Sequence, residues 1–342
     1  MLLDIIAIIA GFVLLVWGAD RFVSGASSIA SNLGLPPMII GLTIVGLGTS
    51  APEILVSGMA AAQGNPGLAI GNSIGSNIAN IGLILGITAL ISPLVVRSET
   101  LRREYPVLLA VSIGSLLLLM DGELGRLDGV ILLAGLIGLL FAMVRISMGS
   151  RAGDPMTAEI LAEMPETMST GKAVANFTLG LALLLFSSRI LVWGAVNIAV
   201  EFGVSDLIIG LTIVALGTSL PELAASVASA LKKEHDIAIG NVLGSNMYNL
   251  LAVLAVPGLL APGAFDPHVL SRDMVMMLGL TLAVFIMGYG FGGSGRINRL
   301  EGLLLLLAFI GYQAVLFSDG AESEKTDQSS AVHYQTEFHR TT

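Results

Sequence analysis

The chain of 342 residues is 54% hydrophobic and only 12% charged, with a mean hydropathy of +0.87. Soluble domains carry about 25% charged residues, so this composition excludes a soluble globular protein. The absence of cysteine excludes disulfides, a thiolate metal site and a cysteine nucleophile, and the net charge of -9, part of it in the tail and in acidic loops on one side, indicates no cationic partner and no nucleic acid.

Spans of about 20 apolar residues cross a bilayer. Ten are predicted: 2–31, 37–62, 67–91, 102–120, 127–147, 172–200, 206–231, 237–260, 273–290 and 300–317. The first is apolar from Leu2 to Trp17 apart from Asp4. It lacks the basic start and cleavage site of a signal peptide, so it reads as a transmembrane helix. Residues 148–171 form the one substantial hydrophilic connection. Residues 318–342 are polar and rich in Ser, Thr and Glu, a composition that predicts disorder. His235, His268, His333 and His339 fall in predicted loops and the tail, too scattered for a metal cluster.

The chain repeats itself. GLTIVGLGTSAPEILVS at 41–57 returns as GLTIVALGTSLPELAAS at 210–226, with 12 of 17 positions identical. AIGNSIGSNIAN at 69–80 returns as AIGNVLGSNMYN at 238–249, with eight of 12 identical. The offset is 169 residues throughout. Gly25-Ala26 recurs as Gly194-Ala195, and Arg103-Glu104 as Arg272-Asp273. Each half therefore holds five spans, 1–147 and 172–317. Five is odd, so the second half must enter the membrane from the opposite side, giving two inverted repeats.

Charge sets the orientation. Loops after odd-numbered spans hold Arg97, Arg102, Arg103, Arg145, Arg151, Lys172, Lys232, Lys233, Arg296 and Arg299; loops after even-numbered spans hold Arg126 and Arg272. This positive-inside bias places 148–171 in the cytoplasm and both termini outside.

Each copy of the motif carries one carboxylate, Glu53 and Glu222, in an apolar span. Such a group is costly in the membrane and marks a functional site by default. Pro52 has no N–H and crowds the carbonyl four residues back, so the helix should kink or unwind around Gly46–Ser50. A bound cation can satisfy the freed carbonyls. Thr49 and Ser50 lie on the face of Glu53, and Ser57 continues it. In the next span Asn72, Ser76 and Asn80 form a polar stripe. The second half repeats the set as Thr218, Ser219, Glu222 and Ser226, then Asn241, Ser245 and Asn249. Carboxylates, amides, hydroxyls and carbonyls without sulfur or imidazole suit Ca²⁺ and Na⁺, not Zn²⁺ or Cu.

Blander roles cover other residues. Gly71 and Gly75, with Gly240 and Gly244, read as helix-packing glycines. Ser57 and Ser226 either bond their own backbone or join the site. Asp20 and Arg189, at equivalent positions, read as structural or interfacial. Met274, Met276 and Met277 read as packing. For Glu53 and Glu222 the bland reading is a protonated or paired carboxyl, but no basic residue lies in the motif segments.

GLTIVGLGTSAPE with GNSIGSNIAN, and their second copies, closely resemble the two α-repeats of the sodium/calcium exchanger family, compact prokaryotic type. The resemblance covers residues 1–317. It implies an all-α polytopic membrane protein of ten helices in two inverted halves, with helices 2, 3, 7 and 8 forming the ion site. It implies electrogenic exchange of cytoplasmic Ca²⁺ for external Na⁺ across a prokaryotic inner membrane, with no cofactor and no obligate protein partner. By motif, Glu53 and Glu222 would ligate Ca²⁺ with the backbone of Thr49 and Thr218. The carbonyls of Gly46 and Ala215 and the hydroxyls of Ser50, Ser219, Ser76 and Ser245 would serve Na⁺. Asn80 and Asn249 would complete the centre; Asn at both positions removes a third carboxylate and argues against potassium cotransport. Residues 148–171 are too few for the Ca²⁺-sensing domains of animal exchangers.

The resemblance implies alternating access, with helices 1 and 6 moving against the rest. The small strips at Gly25-Ala26 and Gly194-Ala195 suit that sliding interface. Competing readings are a Ca²⁺/H⁺ antiporter, whose branch carries a different acidic motif; a cation channel, which broken helices at the midplane disfavour; and an intramembrane enzyme, for which no Ser/His or His/Asp pair exists in the spans.

Overall fold

The computed structural model describes residues 1–35, 40, 46–95, 99–149, 166–289 and 295–338. Residues 41–45 of the first motif and 150–165 of the expected linker lie outside the described residues. The fold is helical. Its only strands among the described residues are two ribbons of two residues per strand.

Six described helices are long and apolar enough to cross a membrane: Leu2–Asn32, Pro66–Ile91, Thr170–Glu201, His235–Leu260, Val269–Tyr289 and Arg299–Ser318. A seventh crossing is formed if Asp206–Thr218 and Leu220–Leu231, bent by 44° at their junction, count as one. Glu99–Leu119 and Arg126–Gly149 are helical as well. Large apolar side chains such as Ile6, Ile9, Val13, Phe186 and Ile310 cover the outside. A water-facing surface this apolar is not sustainable, and lipid is its natural solvent.

Pro66–Ile91 and His235–Leu260 are the inner helices, with 78% and 83% of their apolar windows buried, against 33% for Leu2–Asn32. Each inner helix passes through a wider π turn, Asn80–Leu85 and Asn249–Val253. The two turns start 169 residues apart. Sequence period does not reveal such turns, and they often accompany function.

The two long helices, Leu2–Asn32 and Thr170–Glu201, are sequence equivalents and run antiparallel. A Cβ on Gly25 would meet the Ala173 carbonyl at 2.8 Å, one on Gly18 the Gly180 carbonyl at 3.3 Å, and one on Gly11 the Leu191 Cβ at 3.0 Å. At the far end the Asn197 amide donates to Asp4 at 2.8 Å, and the Met1 ammonium reaches Asp4 and Glu201. The small residues at Gly25 and Gly194 therefore hold the two long helices to each other. This corrects the expectation that they form a sliding face toward the core. Glycine permits close backbone approach, and here the approaching backbone is the other long helix.

The ribbons follow the same relation. Leu94–Val95 pairs antiparallel with Arg296–Ile297, and Glu123–Leu124 with Gly263–Ala264. Leu94 and Gly263 are equivalent at the 169 offset, so each half lends one strand to the other.

The last helix, Arg299–Phe338, continues past 317, where disorder is expected from composition. The stretch after Ser318 has no proline to stop a helix, and Ala321, Glu322, Glu324, Lys325 and Gln328 are good helix formers among its Ser and Thr.

Candidate functional site

Pro52 and Pro221 do not kink a continuous helix. Gly46–Thr49 ends, and Ala51–Ala62 begins with Pro52 in its first turn; Ala215–Thr218 and Leu220–Leu231 do the same around Pro221. Proline is tolerated there because first-turn N–H groups have no intrahelical acceptor. The break is thus confined to Ser50 and Ser219, both near φ -85°, rather than spread over Gly46–Ser50. Glu53 and Glu222 fall in the first turns of the new helices, where the helix dipole favours negative charge.

Two asparagines brace these turns. The Asn72 amide donates to the Glu53 carbonyl at 3.2 Å and to Ser57 Oγ at 2.9 Å. The Asn241 amide donates to the Glu222 carbonyl at 3.4 Å and Ser226 Oγ at 3.1 Å. Ser57 and Ser226 pass the chain on, donating to the carbonyls of Ala69 and Ala238 at 3.3 and 3.4 Å. So these serines neither bond their own helix nor sit idle; they tie each broken segment to the inner helix that follows it. Asn72 also accepts from the Thr218 hydroxyl at 3.2 Å, which links the halves.

Glu53 and Glu222 are almost fully buried. Glu53 lies within electrostatic reach of Glu222 and beside Thr218, and Glu222 lies beside Ser245. Among the described residues no ion pair reaches either carboxylate. Among the described residues, Glu53 Oε2 and both oxygens of Glu222 are buried without a hydrogen-bond partner. The same holds for the hydroxyls of Ser50, Ser76, Ser219 and Ser245, for Asn80 Oδ1 and for the whole Asn249 carboxamide. A buried polar atom left unpaired costs roughly 1–3 kcal/mol, and an unpaired ionised carboxylate far more. So many orphaned oxygens among the residues the motif singled out call for a bound cation, proton or water.

The other expected ligands fare differently. Thr49 is half-buried on the last turn before the first break, and Gly46 opens that turn. The Ala215 carbonyl is already engaged by the Ser219 N–H at 3.2 Å and approached by the Thr218 hydroxyl at 3.4 Å. Gly71 and Gly75 do pack: a Cβ on Gly75 would meet Leu211 Cα at 2.7 Å and Ala215 Cβ at 2.9 Å. Asp20 and Arg189 are exposed on the long helices, with no ion pair among the described residues. Met274 and Met277 are core residues.

Sequence reasoning missed Asn77 and Asn246. Each donates its amide to the other's backbone carbonyl, at 3.2 and 3.5 Å, across the centre of the molecule. Their identity in both copies, next to Ser76 and Ser245, was the available signal.

A polytopic helical membrane protein with two broken segments and a buried, oxygen-lined centre is the class that fold and site define. The family model described as sodium/calcium exchanger protein matches residues 3–145 and 172–318. CaxA of Alkalimonas amylolytica is 52% identical over 93% of this chain and 100% of its own length. Inner membrane protein YrbG of Escherichia coli K12 is 42% identical over 93% of this chain and 98% of its own. Among solved structures, the sodium-calcium exchanger NCX_Mj superposes with a TM-score of 0.63 at 33% identity, covering 92% of this chain and 98% of that one. The chain belongs to the sodium/calcium exchanger family, a family of transporters rather than enzymes.

Proposed function

We propose that the protein is a secondary antiporter exchanging Ca²⁺ for Na⁺ at one buried site, exporting Ca²⁺ electrogenically. The observation that carries this reading is the pair of buried carboxylates, Glu53 and Glu222, among oxygens that have no hydrogen-bond partner among the described residues. Two carboxylates neutralise one Ca²⁺ or two Na⁺, and a many-oxygen cage suits both ions. Glu53 and Glu222 are the central ligands with Thr49, Thr218, Asn80 and Asn249. Ser50, Ser219, Ser76 and Ser245, with the carbonyls of Gly46 and Ala215, serve the Na⁺ positions. Ten spans in two inverted halves, 1–147 and 172–317, enclose the site, with 148–171 cytoplasmic and both termini outside.

The mechanism is alternating access, with the two long helices moving as one body. Its support is an asymmetry between equivalent residues. Ala51, Val56 and Ala60 are packed in a cluster with Leu184, Leu191 and Val192 of the second long helix. Two of their three counterparts lack that cover: Leu220 is 50% exposed where Ala51 is 7% exposed, and Ala225 is exposed where Val56 is buried, although Ser229 is buried like Ala60; Ala224 and Ala228 add to the exposed stripe. The uncovered stripe ends at Lys232 and Lys233, the end that the charge bias assigns to the cytoplasm, and we assign it to the inward access path, with Glu53 and Glu222 themselves buried at its inner end.

Proteoliposomes loaded with Na⁺ and diluted into Na⁺-free K⁺ buffer at equal pH should take up ⁴⁵Ca²⁺, and uptake should vanish when internal Na⁺ is replaced by K⁺. Uptake indifferent to Na⁺ but driven by a pH gradient would reassign the protein as a Ca²⁺/H⁺ antiporter.

A further inference from the structure

We infer that Asn246 is a positioning residue for the ion site, holding the Asn80 carboxamide so that its oxygen is the end left for the ion. The inference rests on the proposed role of Asn80 as an ion ligand. Asn80 Nδ2 donates to Asn246 Oδ1 at 2.9 Å. Asn246 is itself held, its amide reaching the Asn77 carbonyl at 3.5 Å while its own carbonyl accepts from the Asn77 amide at 3.2 Å. All three asparagines are at most 1% exposed, so the clamp is not in competition with bulk water.

The chemistry of an amide makes orientation decisive. Its oxygen can ligate a cation; its NH₂ can only donate and carries partial positive charge. A carboxamide free to turn over would spend part of its time presenting the wrong end. The clamp uses the nitrogen and leaves Asn80 Oδ1, buried and without a protein partner, as the free end. Asn80 also opens the π turn Asn80–Leu85.

The equivalent contact is absent in the other half. Among the described residues, Asn77 Oδ1, which would hold Asn249 by the same relation, has no partner, and neither end of the Asn249 amide is bonded. The Asn249 backbone is nevertheless anchored, its carbonyl accepting from Ser73 Oγ at 2.7 Å. In this conformation the clamp is closed on one ligand and open on its twin.

The test is a double-mutant cycle read as the KM for Ca²⁺ in proteoliposomes, with equilibrium ⁴⁵Ca²⁺ binding to purified protein beside it. Outer-shell partners of metal ligands are typically worth 10–100-fold in affinity, so Asn246→Leu should raise KM about tenfold. In an Asn80→Asp background either carboxylate oxygen can face the ion, and the same Asn246→Leu change should move KM less than about twofold. Equal rises in both backgrounds would show a merely structural tie and overturn the inference. Should Asn246→Leu fail to assemble, Asn246→Ala is read in the same cycle. Glu53→Gln separates the two levels: if it binds Ca²⁺ like the wild type, the ion-site reading falls, whereas an additive cycle with Glu53→Gln inactive removes only the role of Asn246.

Discussion

Glu53→Gln and Glu222→Gln are each expected to reduce Ca²⁺ exchange by more than about a hundredfold, since a direct ligand should exceed the 10–100-fold worth of an outer-shell partner. The substitution keeps shape, removes the carboxylate charge and replaces one acceptor oxygen with an NH₂ donor. Its effect on stability depends on why the charge is there. A carboxylate paired for structure loses stability on becoming an amide, because its buried partner is left unpaired. No ion pair reaches Glu53 or Glu222 among the described residues, and Glu53 has the like-charged Glu222 within reach. Neutralising one of them should therefore leave the Ca²⁺-free thermal midpoint unchanged or raise it, while exchange disappears. A Gln variant that melts earlier yet still exchanges would make the pair structural. The Asn72 and Asn241 braces act on the backbone carbonyls of these residues, so they should survive the change.

The second large effect concerns the moving parts. The chain has no cysteine, so introduced pairs can be read without background. Ala7 Cβ lies 3.4 Å from a Cβ built on Gly194, and Val23 Cβ lies 3.3 Å from one built on Gly48. Both are close to the roughly 3.5–4.5 Å that a disulfide requires. The first pair joins the long helices to each other; the second joins a long helix to the first broken segment. Oxidising Ala7→Cys with Gly194→Cys should leave exchange within about twofold of the reduced protein, because bodies that move together lose nothing when tied. Oxidising Val23→Cys with Gly48→Cys should stop exchange, and reduction should restore it. Full exchange by the oxidised second pair would exclude movement of the long helices against the broken segments.

Much of the site was legible because it violates the composition around it. Glu53 and Glu222 are charges in apolar spans, and their duplication with Pro52 and Pro221 leaves little room for chance. The break itself was legible, though not that Ser50 and Ser219 alone absorb it; proline says where a helix must end but not how tightly the next begins. Gly25 and Gly194 announced a close approach without naming the partner, since absence of a side chain is compatible with any neighbouring backbone. Asn77 and Asn246 stayed hidden one position off the polar stripe of Asn72, Ser76 and Asn80. Their meeting depends on two inner helices crossing at equivalent points, a long-range fact that local spacing cannot carry. The π turns at Asn80 and Asn249 leave no periodic trace.

Equilibrium ⁴⁵Ca²⁺ binding to the purified protein as Na⁺ is raised at fixed pH and ionic strength tests most directly that both ions use one site. Na⁺ should displace Ca²⁺ completely and with a slope steeper than one ion for one, and Glu53→Gln should bind neither. Ca²⁺ that stays bound at saturating Na⁺, or binding untouched by Glu53→Gln, would contradict a shared site at the two carboxylates.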